Sequence, residues 1–218
     1  MFKTMKVTGL LAITILLHNA AIADDRAVHM ITDTCVACHG EQGNSVGPAI
    51  PNLSGMSPNY MMAAMLAYKY DDEDKLEEVI DSDSDFEDVE IFPRYSTIMG
   101  RIAKGYTEAE IKMIAEYFSG LTPKFPSQSY DSELATAGAE LHELHCEKCH
   151  ENEGRSAEDD AGILAGQWKP YFLYTMSDFI SGERAMPKKM KKELDEIADA
   201  VGDDGIKQLA EYYASITE

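Results

Sequence analysis

An all-α protein of two tandem domains is what this sequence predicts, on three observations. The pattern Cys-x-x-Cys-His occurs twice, at Cys35–His39 and Cys146–His150, and the two copies use all four cysteines of the 218-residue chain. Landmarks around the motifs recur in one order, at offsets of 111 and then 95 residues. Helical periodicity outweighs alternation throughout, and no stretch alternates long enough to argue for a sheet.

The motif carries the chemistry. In Cys-x-x-Cys-His the two thiols add across the vinyl groups of a haem, and the adjacent imidazole becomes the first axial ligand of its iron. One helical turn presents both sulfurs to one edge of the porphyrin and turns the histidine onto its face. A disulfide pair has no need of the histidine, and a Cys2His2 zinc site spaces its histidines differently. Two motifs with no cysteine left over therefore predict two covalently attached haems, on Cys35, Cys38 and His39 and on Cys146, Cys149 and His150.

Taken in order, the chain opens with an address. Lys3 and Lys6, the apolar run Val7 to Leu17 and Ala21-Ile22-Ala23 read as a signal peptide over residues 1–23, with Asp24 as the new N-terminus. The run is too short for a transmembrane helix, and no other segment is apolar enough to span a bilayer. Export to the periplasm agrees with haem attachment, which is done outside the cytoplasm. The first domain is expected over residues 24–122, the linker with Pro123 and Pro126 over 123–130, and the second domain over 131–218. Leu53-Ser54-Gly55 answers Leu164-Ala165-Gly166 at an offset of 111, and Ile114–Phe118 answers Leu209–Tyr213 at 95. Each half thus reads as short helix, haem motif, loop, middle helix, Met-bearing loop and closing helix. The change of offset marks extra residues in the first half, an acidic insert over about 71–94, within which Asp71 to Glu90 holds twelve acidic residues and one lysine. This is expected to be a solvated acidic surface. Thr107 and Glu110 form a capping box that opens the first closing helix, with Ile111, Ile114, Ala115 and Phe118 along its apolar face and Gly120 at its end. Leu209, Tyr212, Tyr213 and Ile216 lay a similar stripe in the second. A domain this small has a marginal core, which a buried haem would staple.

The second axial ligand must reach the opposite porphyrin face from a loop well downstream, and methionine is its usual identity. Met99, in Ser96-Thr97-Ile98-Met99-Gly100, is the candidate in the first half and Met186, in Ala185-Met186-Pro187, in the second. Met61, Met62 and Met65 read as core, Met56 stands too close to His39, Met176 lies within the middle helix and Met190 among lysines. His29, His142 and His145 read as surface or packing residues, and Trp168 as packing beside the second haem. With both irons six-coordinate there is no open site for substrate. No catalytic residue is assigned, and no Ser/His/Asp set, P-loop or flavin-binding fingerprint is present.

The net charge is −20; loss of Lys3 and Lys6 with the leader leaves 17 basic against 39 acidic residues, or −22. Such a surface repels nucleic acid, anionic membrane and small anions such as hydrosulfide, and favours a basic partner.

Both halves resemble class I cytochrome c domains, and their tandem arrangement resembles dihaem cytochromes of the c4 type. Ser96-Thr97-Ile98-Met99-Gly100-Arg101-Ile102-Ala103-Lys104-Gly105-Tyr106, Gly43-Asn44-Ser45-Val46-Gly47-Pro48, Cys146-Glu147-Lys148-Cys149-His150 and the run from Ile163-Leu164-Ala165-Gly166-Gln167-Trp168 through Met176-Ser177-Asp178-Phe179 resemble the dihaem cytochrome subunit of flavocytochrome c sulfide dehydrogenase. That resemblance implies a heterodimer. An FAD-containing flavoprotein oxidises sulfide, and the cytochrome subunit passes electrons one at a time to a soluble cytochrome c. It also implies that Met99 and Met186 complete the two irons and that the domains pack with their haems close together. The acidic insert departs from the family's first domain. Two other readings stay open: a free-standing c4-type carrier feeding an oxidase with no flavoprotein, and a cytochrome serving a flavoprotein in another branch of sulfur metabolism.

Overall fold

A computed structural model describes residues 26–70, 72–82 and 91–217. The expected leader 1–23, Asp24, Asp71 and residues 83–90 of the acidic insert lie outside the described residues. The described chain is helical, with no strand and no helix long and apolar enough to cross a membrane.

Helix α1, residues 26–39, ends on the first motif. The middle helix α2, Pro58–Lys69, starts at Ser57, whose hydroxyl accepts the Tyr60 N–H, and buries Met61, Met62, Met65 and Leu66. Helix α4, Met99–Ala103, packs on α2, as does the closing helix α5, Glu108–Ser119. The capping box forms: Thr107 Oγ1 accepts the Glu110 N–H and Glu110 returns a carboxylate oxygen to the Thr107 N–H at 2.7 Å. Ile111, Ile114, Ala115 and Phe118 are buried as their spacing predicts.

Part of the acidic insert is helical. Residues Glu73–Ser82 form helix α3, on which Leu76 is buried while Val79 and Ile80 pack against the core. Three apolar side chains at i, i+3 and i+4 suffice to dock it, and its acidic residues Asp74, Glu77, Glu78 and Asp81 face outward or lie near the rim.

In the second half α6, Ser132–Leu141, runs through a wide π turn, His142–Cys146, into the second motif. A single irregular turn α7, Glu151–Gly154, follows, then α8, Lys169–Ser181, α9, Lys188–Val201, and the closing helix α10, Asp204–Ser215. Helices α6 and α10 cross at Gly138, where an added Cβ would stand 2.1 Å from the Gln208 carbonyl oxygen. Only hydrogen fits between these backbones.

The repeat is exact in its hydrogen bonds. The Gly43 carbonyl accepts Leu53 N–H and Ser54 N–H at 2.7 and 3.4 Å; the Gly154 carbonyl accepts Leu164 N–H and Ala165 N–H at 2.9 and 3.0 Å. The Gly55 N–H donates to the Phe118 carbonyl and the Gly166 N–H to that of Tyr213. Gly43 and Gly154 hold φ of 73° and 77°, and a side chain on either would strike the aromatic residue of its closing helix.

The halves meet through the loops that follow the motifs. Asn52 N–H donates to Gln167 Oε1 at 3.0 Å, and Ile163 N–H, 111 residues beyond Asn52, points at Met56 Sδ at 3.2 Å, where Met56 stands 111 residues before Gln167. The two contacts are thus one contact made twice about an approximate two-fold axis. Gln167 Nε2 also donates to the Asn52 carbonyl at 3.1 Å. Trp168 spans this contact: its indole N–H donates to the Ser45 carbonyl at 3.1 Å and its ring lies against Gly47. Between α5 and α6, Pro123 packs on Gly55 and Phe125 on Gly166, so the connecting segment touches both halves.

Two outcomes follow for the haem-loaded protein, read by thermal unfolding. Gly138→Ala forces the α6 and α10 backbones apart and is expected to cost about 2–3 kcal/mol. Gln167→Ala leaves the Asn52 N–H and C=O unpaired in a buried contact and is expected to cost about 2–3 kcal/mol.

Candidate haem centres

Each motif sits where a helix runs out, so its two cysteines and histidine are presented within one turn. Cys35 and Cys146 are half-buried, and Cys38 and Cys149 are exposed. Burial raises the Cys35 pKa, and it pushes the Cys146 thiol up to about 11 while a hydrogen bond with the Tyr213 hydroxyl pulls the other way. Among the described residues no cysteine belongs to a cluster with metal-chelating geometry; the one such cluster is His145, Glu193 and Glu196.

The motif histidines are fixed alike. His39 Nδ1 lies 2.9 Å from the Pro51 carbonyl oxygen and His150 Nδ1 3.0 Å from that of Gly162, each twelve residues further on. A carbonyl can only accept, so Nδ1 carries the proton and Nε2 keeps its lone pair for a metal. Burial lowers the pKa of both imidazoles, more than the carbonyl hydrogen bonds raise it, which keeps them neutral. Two thiols one turn apart beside a neutral imidazole with a free Nε2 are the donor set that a covalently attached haem requires, and this chain has it twice.

The methionines divide. Met61, Met62 and Met65 are core, as expected, Met176 is buried too, and Met56 is occupied in the contact between halves. Met99 opens α4, takes a backbone cap from Ser96 Oγ at 3.2 Å and packs against the core. Met186 lies half-buried in the coil before α9. Met190, in the first turn of α9, packs against the core as Met99 does.

Among the described residues the histidines outside the motifs all have partners. His29 stacks edge-on against Tyr117, with ring centres 5.5 Å apart. His145 Nδ1 faces Glu193 Oε2 at 2.9 Å. His142 is buried, with Nδ1 2.9 Å from the Tyr213 hydroxyl and Nε2 2.5 Å from Glu147 Oε2. Sequence reasoning took His142 for a packing residue and missed that it is the centre of a buried polar network. The repeat register held the signal: the counterparts of His142, Glu147 and Tyr213 in the first half are Ile31, Val36 and Phe118.

Comparison with known proteins agrees with this geometry. The sequence model of the Cytochrome c family matches residues 25–122. The cytochrome subunit of sulfide dehydrogenase from Chlorobaculum tepidum is 38% identical over 91 residues, which is 42% of this chain and 63% of that relative's length. Cytochrome c-554(548) of Halomonas halodenitrificans is 31% identical over 86 residues, 39% of this chain and 82% of the relative. The crystal structure of reduced cytochrome c4 from Pseudomonas stutzeri superimposes with a TM-score of 0.66 at 23% identity, covering 88% of this chain and 97% of that one. A repeat that sets each motif the same way, in a chain alike to these proteins, makes it a member of the cytochrome c family: an electron carrier of two tandem class I domains, each all-α.

Proposed function

We propose that this chain is the dihaem electron-transfer subunit of a periplasmic sulfide-oxidising flavocytochrome c. It takes electrons singly from the FAD of a partner flavoprotein and hands them to a soluble cytochrome c. The observation that carries this reading is the 38% identity with a sulfide dehydrogenase cytochrome subunit over 91 residues. The reading includes removal of residues 1–23, the division into domains at 123–130, and a surface of net charge −22 that selects a basic partner.

On this reading Cys35 and Cys38, and Cys146 and Cys149, hold one haem each by thioether bonds, with His39 and His150 as first axial ligands. The bound haem supplies a one-electron couple. The chain's own residues keep each imidazole neutral and oriented, exclude water from it, and hold the two loops at the contact between halves. Met99 is the second ligand in the first half. In the second half Met186 is the expected ligand, but the repeat favours Met190. Arg94 and Arg184 stack alike, over Tyr68 and Phe179, and Met99 follows its arginine by five residues, Met190 by six and Met186 by two.

A second reading is favoured by the full-length likeness to cytochrome c4, with 97% of that chain covered: a free-standing dihaem carrier with no flavoprotein.

Gentle purification from the native periplasm, with flavin and haem assayed and sulfide then added, separates the two. About one flavin per two haems, with haem reduction by sulfide, is the expected result; two haems without flavin and without a sulfide response would leave the free carrier. The ligands are tested by the near-infrared charge-transfer band of methionine-ligated ferric haem. Met99→Ala and Met190→Ala are each expected to remove one haem's share of that band and to lower one potential, and Met186→Ala to leave it whole. Loss of the band in Met186→Ala alone would assign the second iron to Met186.

A further inference from the structure

Within the second motif stands a carboxylate where the first has hydrocarbon. Glu147 follows Cys146 directly, and its side chain is held from both sides of the motif. On the near side His142 Nε2 stands 2.5 Å from Glu147 Oε2. On the far side the Asn152 N–H donates to Oε1 at 3.0 Å and the Glu153 N–H to Oε2 at 3.3 Å. Asn152 and Glu153 hold φ of 55° and 60°, a left-handed region that residues with side chains keep only where the surroundings fix them. Here the carboxylate accepts both of their N–H groups. The first half reaches its equivalent turn through Gly40 and Gln42, at φ of 75° and 55°, and Val36, the counterpart of Glu147, offers it no acceptor.

The rest of the network settles where its protons lie. Burial pushes the Tyr213 hydroxyl well above the ordinary phenol range, so it keeps its proton. His142 Nδ1 lies 2.9 Å from that hydroxyl, and an imidazole nitrogen is a better acceptor than the sulfur of Cys146. The Tyr213 O–H therefore donates to Nδ1, and Nε2 gives its N–H to Glu147. Burial raises the Glu147 pKa, but hydrogen bonds from His142, Asn152 and Glu153 outweigh it and hold the carboxyl below its ordinary range. Phenol, imidazole and carboxylate together carry one negative charge. The carboxylate side chain is 43% exposed, yet the imidazole and phenol that anchor it are buried, so the charge is held in one place.

We propose that Glu147, positioned by His142 and Tyr213, sets the reduction potential of the second haem below the value that the first half's hydrocarbon would give it. Ferric iron carries one more positive charge than ferrous iron, so a fixed carboxylate beside the motif favours the ferric form. An electron shared between the halves is thereby weighted towards the first. His142 and Tyr213 are positioning residues that act through the carboxylate. The proposal rests on the second motif carrying a haem; it does not depend on a flavoprotein.

The test uses the isolated cytochrome with both haems loaded, poised at successive potentials, with each haem followed by its own methyl signals in proton NMR. Glu147→Gln removes the charge and keeps the size. It is expected to raise the second haem's potential, leave the first's in place and move the electron's distribution about two- to fivefold towards the second, the strength of a charge partly open to water. Glu147→Asp should stay nearer the wild type than Glu147→Gln does. His142→Ile, which installs the first half's own residue, should give a smaller rise, and adding it to Glu147→Gln should give no further rise. A merely structural role predicts the opposite sign, because a loosened half admits water and water favours the ferric charge. A second potential that is unchanged or lowered in Glu147→Gln overturns the proposal. Should that variant fail to load the second haem, Glu147→Val, the residue the repeat itself uses there, is measured in its stead. Loss of the haem in that variant as well assigns the carboxylate to assembly and also overturns the proposal. The expected rise in a cytochrome that binds no flavoprotein leaves this assignment standing and removes only the sulfide reading.

Discussion

A backbone carbonyl twelve residues beyond each motif histidine fixes what that histidine can do. Pro51 and Gly162 take the Nδ1 proton, leaving Nε2 as the only free nitrogen. The next residue along each loop is Asn52 or Ile163, and its N–H makes the contact between halves. One short loop thus orients an imidazole with one peptide and joins the domains with the next. The loop is held at its base by the Gly43 or Gly154 carbonyl and at its far end by the closing helix, through Gly55 or Gly166. Disturbing the interface therefore reaches the motif histidine through a single peptide unit.

The repeat is broken in two informative places. Around the second motif a histidine, a glutamate and a tyrosine replace an isoleucine, a valine and a phenylalanine, and every member of the network has a partner. A satisfied polar network beside one motif and hydrocarbon beside the other give two unlike electrostatic environments on one framework. The other break lies between Tyr68 and Arg94, 26 residues apart, where Phe179 and Arg184 are only five apart. That difference is the acidic insert, and helix α3 folds it back onto the first half.

Much of this was legible in the chain. The two motifs, the 111-residue register, the capping box and the apolar stripes of the closing helices all rest on local chemistry, and the helices follow them. Helix α3 was obscured because Leu76, Val79 and Ile80 are scattered among acidic residues that dominate any compositional reading. The reach of Trp168 to Ser45 was not legible, because an indole's partner across a domain contact leaves no trace in its own neighbourhood. Met186 and Met190 stand four residues apart, and sequence distance alone cannot choose between them. The arginine pair was hidden for a related reason: its offset is 90 rather than 111, and only the matching aromatic stacks reveal the equivalence.

The two-fold contact has a consequence for how such a chain can change. A contact of the form Asn52 to Gln167 and Ile163 to Met56 is isologous, the kind that two identical chains make with each other. Joining the halves by a short segment turns their association into an intramolecular event at an effective concentration of roughly millimolar. The contact can then be modest in strength. It is also released from matching its own copy, so one arm uses an amide and the other a thioether. A symmetric pair of carriers has no preferred direction; the fused pair can keep the symmetry that holds its parts together and abandon it at the two ends, where donor and acceptor must differ.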